Sequence, residues 1–314
     1  MMLVSPVAGI IIGVLALVFS SLALTASIEN IGSKLRFSDS LTGALLSPMF
    51  TALPELIIIA EAIILIGRSP GSEIAAGTII GEPFMVSSLG MPAAVIVLSI
   101  SKRKRGELEK IDGSLSRIML LLGIVFPIML IPHFLNTILV RIAVSLCLVL
   151  IYVALIFLLK GQEEISGKRI PSKLFIVLVT AGLILLLSGS TILVSSINEF
   201  ANQSGISREL MGILIIPIGT IVPETMNSLV WASKYRTNLS ISALLGEELM
   251  FTTIFPAIGI AASSWIITYY GIVAVVLFSS FSIVVGFVLS RLKGVVYPML
   301  AYFASFVIFL FFVY

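Results

Sequence analysis

Four glutamates mark the residues able to do chemistry in this chain, because each lies in an apolar stretch directly after a residue that loosens a helix. Glu55 and Glu224 follow Pro54 and Pro223, and Glu82 and Glu247 follow Gly81 and Gly246. The first pair belongs to a longer pattern, P-x-x-T-x-x-P-E, which places Thr51 and Thr220 between two prolines. Each proline lacks an N–H and disrupts the turn before it, so carbonyl oxygens around the two threonines are expected to be released. In lipid, released carbonyls are tolerated only where protein or a hydrated cavity meets them. A carboxylate at such a break needs a proton or a bound cation to neutralise it. Carboxylates, hydroxyls and open carbonyls form an oxygen-only, hard environment that suits Ca²⁺ better than a soft transition metal. The candidate cation ligands are therefore Glu55, Glu224, Thr51, Thr220, Glu82 and Glu247. Glu248 is an alternative to Glu247 as the inward-facing partner, and Asn227, at i+3 from Glu224, shares its helix face as a ligand or a helix–helix hydrogen bond. Glu61, toward the end of its span, is read as interfacial. His133, in the P-H-F-L-N segment, is read as an exposed turn residue.

These residues recur by repetition. A shift of 169 residues aligns Leu41, Gly43, Leu45, Pro48, Thr51, Pro54 and Glu55 with Leu210, Gly212, Leu214, Pro217, Thr220, Pro223 and Glu224. A shift of 165 aligns Gly81 and Glu82 with Gly246 and Glu247, and Met85 with Met250. Small residues surround both G-E pairs: Ala75, Ala76 and Gly77 in one half, Ser240, Ser242 and Ala243 in the other. Such residues let helices approach closely.

The elements that must position the glutamates are membrane helices. Of 314 residues 59% are hydrophobic and 11% charged, whereas an average soluble domain is about a quarter charged. Apolar runs near the length of about 20 residues needed to cross a bilayer begin near Val4, Leu41, Glu73, Leu115, Asn136, Leu174, Glu209, Leu239, Ile266 and Val295. The expected fold is all-α and integral to the membrane: ten transmembrane helices as two five-helix repeats. The first repeat covers residues 1–161, a cytoplasmic linker residues 162–173, and the second repeat residues 174–314. With an odd number of spans per copy, the copies enter from opposite sides, the inverted arrangement of secondary transporters with a midplane site. The first apolar segment has no basic residue before it and no small-residue cleavage site, so it reads as a retained helix rather than a signal.

Charge placement orients the chain. Lys102, Arg103, Lys104, Arg105, Lys168, Arg169 and most other basic residues fall on one side, and Arg68, Arg141 and Arg208 on the other. The positive-inside rule then puts both termini on the extracytoplasmic side of the cell membrane. The basic run reads as a topology anchor, so the net charge of +3 gives no support to nucleic-acid binding. The single cysteine, Cys147, excludes an internal disulfide and a cysteine metal pair. No cofactor and no obligatory protein partner are indicated; the expected partners are small cations and the bilayer. A passive cation channel and a Na⁺/H⁺-type exchanger remain open on ligand type. An intramembrane hydrolase would need a nucleophile with a base, a histidine pair or paired aspartates, which one histidine and two loop aspartates, Asp39 and Asp112, do not supply.

T-A-L-P-E at 51–55 and G-T-I-V-P-E at 219–224 resemble the G-T-S-L-P-E of the alpha repeats of the sodium/calcium exchanger family, within the calcium/cation antiporter superfamily. G-T-I-I-G-E at 77–82 and S-A-L-L-G-E at 242–247 are similar to its G-N-x-x-G-S. The likeness extends over the whole chain and matches the minimal prokaryotic form. It implies a non-enzymatic antiporter exchanging Ca²⁺ for Na⁺ or H⁺, with Glu55 and Glu224 as central ligands, Thr51 and Thr220 supplying oxygens, and the first helix of each half sliding past the core. The chain departs from the pattern at Ala52 and Ile221, where the family has a hydroxyl, at Glu82 and Glu247, where it has serine, and at Val86 and Phe251, where it has Asn or Asp. Fewer neutral oxygens and more carboxylates point to protons as a coupling ion beside or instead of Na⁺.

Overall fold

Helices that carry small residues on one face can bring their backbones together, and such contacts organise this protein. The structure, a computed structural model, describes residues 5–35, 52–67, 69–103, 113–156, 172–233, 237–291 and 296–313, excluding the side chains of residues 21, 25–35, 102–103, 113–114, 172–173, 222–224, 227, 237–239 and 296–297. All regular structure among the described residues is helical. Helix α1 (Pro6–Leu35) lies along α8 (Ser172–Ser204). A Cβ on Gly13 would stand 3.0 Å from the Leu193 Cα and one on Gly189 would stand 2.8 Å from the Ala16 Cβ, so only glycine admits this approach. The Ser20 hydroxyl donates to the Gly182 carbonyl at 2.8 Å across the same seam.

The first half of the chain continues through α2 (Leu53–Glu61), which widens into a π turn at Ala62–Ile66, and α3 (Pro70–Met85), which passes through a second π turn, Val86–Gly90, into α4 (Met91–Arg103). Helix α5 (Gly113–Val125) leads through a 3-10 turn and the short α6 (Ile131–Phe134) to α7 (Ile138–Ile156). In the second half, α9 (Arg208–Leu214) and α10 (Ile216–Ser233) are two pieces of one interrupted helix. Helices α11 (Thr237–Thr252) and α12 (Ile254–Ala262) form another, followed by α13 (Tyr269–Arg291) and α14 (Val296–Val313).

A large core joins α3, α4, α5, α7, α10, α11, α13 and α14, and a smaller one fills the space between the α1–α8 pair and α2. The outer faces stay apolar: Ile11, Leu15, Phe19, Ile176 and Ile184 are exposed, as suits a lipid solvent rather than water. On α7 only Val144, Leu148 and Leu155 are buried, a single stripe at helical spacing, and Cys147, beside that stripe, is exposed.

By length and composition, seven helices among the described residues are able to cross a bilayer, with Pro298–Val313 a shorter apolar one. Of the other expected spans, the one starting near Leu41 begins outside the described residues. The one starting near Glu209 is divided at Ile215, two residues before Pro217. The expectation that both prolines of this motif break the helix is corrected: α10 runs unbroken through Pro223.

The connection between α12 and α13 is pinned by side chains from elsewhere. Trp265 takes a positive φ of 50°, unusual for a bulky residue, and is held there by its indole N–H donating to the Met129 carbonyl at 2.8 Å. Arg141 donates to the carbonyls of Ile260 and Ser263, capping the end of α12. His133 also joins this segment, correcting its expected exposure. It is half-buried, and its Nδ1 accepts from the Ile267 N–H at 3.1 Å.

Candidate cation site

Glu55 occupies the first turn of α2, where Pro54 costs no hydrogen bond because the first N–H groups of a helix have no internal partner. Those free N–H groups give the helix start a partial positive charge that favours a carboxylate. Glu82 lies in the fourth turn of α3 and Glu247 lies in α11. Contact between α3 and α9 brings the pieces together. A Cβ on Gly212 would stand 2.9 Å from the Gly77 Cα, and one on Gly81 would stand 2.6 Å from the Ile213 Cα. With the backbones touching there, Glu82, directly after Gly81, meets Thr220 beyond the break in the facing helix.

The result is a carboxylate cluster deep among the helices. Glu55, Glu82 and Thr220 are at most 1% exposed, and Glu247 is 4% exposed. The Thr220 hydroxyl donates to Glu82 Oε1 and lies beside Glu55, which in turn is near both Glu82 and Glu247. Among the described residues no donor reaches either carboxylate oxygen of Glu55 in hydrogen-bond geometry. No basic side chain among them pairs with Glu55 or Glu82; the ion pair described is Arg208 with Glu73, at 3.6 Å and remote from this cluster.

Thus the structure brings Glu55, Glu82, Glu247 and Thr220 into one region. Thr51 and the side chains of Glu224 and Asn227 lie outside the described residues. Among the described residues no group of three or more His, Cys, Asp and Glu side chains forms a metal site. Any ion at this cluster would therefore draw on hydroxyl and carbonyl oxygens too. Pro223, lacking an N–H, leaves the Gly219 carbonyl beside Thr220 without its helix donor.

Some polar residues were not foreseen in these roles. Glu248 turns away from the cluster: its Oε1 accepts from Ser87 at 2.5 Å, on the π turn Val86–Gly90. Tyr302 adjoins the same carboxylate and donates to Ser282 at 3.0 Å. Glu209, fully buried at the start of α9, accepts from the Thr268 N–H at 2.5 Å. Glu61 accepts from Thr191 of α8 at 2.9 Å. Spacing along the chain gave no signal for these pairs, because each joins helices remote in sequence.

A cavity of about 370 Å³ opens between α10 and the π turn of α3, lined by Met85, Leu89, Ala93, Pro217, Ile218, Ile221 and Thr225 among others. Its lining is apolar apart from Thr225, and Ile218 and Met226 on its rim are exposed to the lipid side. Its chemistry suits hydrocarbon, whereas that of the glutamate cluster suits a cation.

Comparison with known proteins points one way. The family described as sodium/calcium exchanger protein matches residues 5–161 and 174–314. No curated protein matches the chain in sequence. Among solved structures, an H⁺/Ca²⁺ exchanger, CAX, superimposes with a TM-score of 0.77 at 18% identity, covering 98% of this chain and 82% of that one. Native YfkE gives 0.73 at 18% identity, covering 98% and 91%. The sodium-calcium exchanger NCX_Mj, soaked with Na⁺ and Ca²⁺, gives 0.62 at 18% identity, covering 98% of both chains. At this identity the structural likenesses show a shared fold.

Proposed function

Since the chain belongs to the sodium/calcium exchanger family, and so to the calcium/cation antiporters of the membrane, we propose that it exchanges Ca²⁺ for Na⁺ or H⁺ across the cell membrane by alternating access. The observation that carries this reading is the buried cluster of Glu55, Glu82 and Glu247 around Thr220, with no basic partner for Glu55 or Glu82 among the described residues. Carboxylates in a lipid-embedded core demand positive charge, and a transported cation supplies it. Ca²⁺ takes six to eight oxygens. In this reading Glu55 and Glu224 are the central ligands, Thr51 and Thr220 add hydroxyls, and Glu82 and Glu247 complete the charge.

The ten-span reading as two inverted repeats draws support from packing that comes in matched pairs. Helix α12 packs on α7 as α4 packs on α14; α13 on α3 as α5 on α11; α1 on α10 as α8 on α2. Each pair exchanges the two halves. The division at residues 161 and 174 agrees with the two stretches over which the family matches. Both termini are assigned to the extracytoplasmic side on charge placement. The α1–α8 pair, joined by close glycine contacts and meeting the core through α2 and α10, is the unit that slides. Proton coupling follows from the departures at Glu82 and Glu247, where carboxylates replace the family's serines.

The test is Ca²⁺ flux into proteoliposomes with Na⁺ and H⁺ gradients imposed separately, for the native protein and for Glu55→Gln and Glu224→Gln. Saturable uptake that needs a counter-ion is expected, lost in both variants. Exchange retained in both would remove the proposed site, flux without a counter-ion would mark a channel, and uptake that follows Na⁺ and ignores pH would end the proton hypothesis.

A further inference from the structure

Successive residues on a helix point about 100° apart, and Glu247 and Glu248 use this to serve different neighbourhoods. Glu247 belongs with Glu55 and Glu82. Glu248, 1% exposed, is directed to the space where the π turn Val86–Gly90 meets α13 and α14. There its Oε1 receives the Ser87 hydroxyl at 2.5 Å. The Tyr302 hydroxyl adjoins both Ser87 and Glu248 and donates to Ser282 at 3.0 Å. Ser87 is 1% exposed, and Tyr302 and Ser282 are fully buried. Glu248 Oε2 is buried with no hydrogen-bond partner among the described residues. The π turn itself is an irregularity of a kind that recurs at functional sites, and here it carries Ser87.

From this arrangement we infer that Glu248, Ser87, Tyr302 and Ser282 form a second cation site, separate from the exchange cluster and suited to one small monovalent cation such as Na⁺. Every side chain offered is an oxygen ligand, which suits a hard cation. One carboxylate with three neutral hydroxyls carries a single negative charge. A monovalent ion balances it, whereas a divalent one would leave an excess charge in a buried site. The inference rests on the exchanger reading for its purpose, since a Na⁺ held here while Ca²⁺ is bound stays with the protein or moves with Ca²⁺ and is distinct from the ion exchanged for it. It does not rest on that reading for its test.

Equilibrium binding of radiolabelled Na⁺ to the purified protein, measured with Ca²⁺ present at saturation, isolates this site. One Na⁺ per chain is expected to remain bound to the native protein. Glu248→Gln, and separately Tyr302→Phe as a variant that keeps the packing, are expected to weaken that binding by about tenfold or more, a loss of about 1.4 kcal/mol. Both are expected to bind Ca²⁺ as the native protein does. Glu55→Gln is expected to do the reverse, losing Ca²⁺ and keeping Na⁺. Absence of bound Na⁺ in the native protein under saturating Ca²⁺, or full Na⁺ binding by Glu248→Gln, would overturn the second site. Ca²⁺ binding unaffected by Glu55→Gln would instead overturn the exchange cluster and leave the second site standing.

Discussion

Helix α3 with its continuation α4, and helix α11 with its continuation α12, share the G-E pair and the methionine three residues after it, yet they bend by different means. In the first copy Glu82 is followed by Pro83, which withholds the N–H that the Ile79 carbonyl would receive. The helix then widens into the π turn Val86–Gly90 and goes on. In the second copy Glu247 is followed by Glu248 at the position of Pro83. There the helix ends at Thr252, and the hydroxyls of Thr252 and Thr253 turn back to the Leu249 carbonyl. The bend thus falls at the same place after each glutamate, while its chemistry differs. The second copy gains a carboxylate where the first has a proline, so the two halves are equal at the G-E pair and unequal one residue beyond it.

That equality can be broken most sharply at the central glutamates. Removing one charge from a buried, mutually dependent set costs roughly 3–5 kcal/mol, or at least about a hundredfold in transport. Glu55→Gln is expected to lower Ca²⁺ uptake by proteoliposomes by that amount, and Glu224→Gln by the same amount within a factor of about ten. A larger disparity would mean that the repeats do not contribute equal ligands. Glu82→Gln should cost less, about tenfold, because its amide oxygen still accepts from Thr220.

Much of the cluster was legible from spacing, and the reasons it was partly hidden are physical. P-E and G-E at fixed offsets pointed to Glu55, Glu82, Glu247 and Thr220, because a carboxylate kept in lipid beside a helix-loosening residue, and kept twice, must meet positive charge there. The place of the helix break was less legible. Pro217 divides α9 from α10, but Pro223 is absorbed within α10, since neighbouring helices can meet a freed carbonyl. The roles of Glu209, Glu248, Tyr302 and His133 were illegible because their partners come from distant helices, and no local pattern encodes an approach between them. The small residues near Gly77 and Gly81 did announce that a helix would come close, without naming α9 as that helix.

That α3–α9 contact sets the next test in size. A methyl on Gly212 would press within 2.9 Å of the Gly77 Cα, and one on Gly81 within 2.6 Å of the Ile213 Cα. Gly212→Ala and Gly81→Ala are each expected to destabilise the protein by about 1–3 kcal/mol through overpacking, read as a lower thermal midpoint in detergent. Because separating these helices also moves Glu82 from Thr220, Ca²⁺ affinity should fall with stability. Unchanged affinity would show that the cluster tolerates a shift in α3. Glu209 gives an effect of comparable size, and only in the second half, since the equivalent position in the first is Ser40. Its carboxylate accepts from the Thr268 N–H at the start of α13. Glu209→Ala is expected to cost about 1–3 kcal/mol by leaving that donor buried without a partner, again read as a lower midpoint.

The smallest difference lies where the α1–α8 pair meets the core. Helix α8 touches α2 through the Thr191 hydroxyl and Glu61 at 2.9 Å, whereas the repeat-equivalent positions are Leu22 on α1 and Val230 on α10, both apolar and both lipid-accessible. One seam therefore carries a hydrogen bond that its counterpart does without. Thr191 has a single proton and two acceptors within reach, Glu61 Oε1 and, at 2.8 Å, the Leu187 carbonyl of its own helix. The bond across the seam therefore competes with the bond to its own helix. Thr191→Val removes both options and is expected to cost about 1 kcal/mol, while adding Glu61→Leu should restore that loss by making this seam as apolar as the other. If the seam only holds the helices together, Ca²⁺ transport by the double variant should stay within about threefold of native, well under 1 kcal/mol. A greater loss would place Glu61 on the path of the ions and make the two seams functionally distinct.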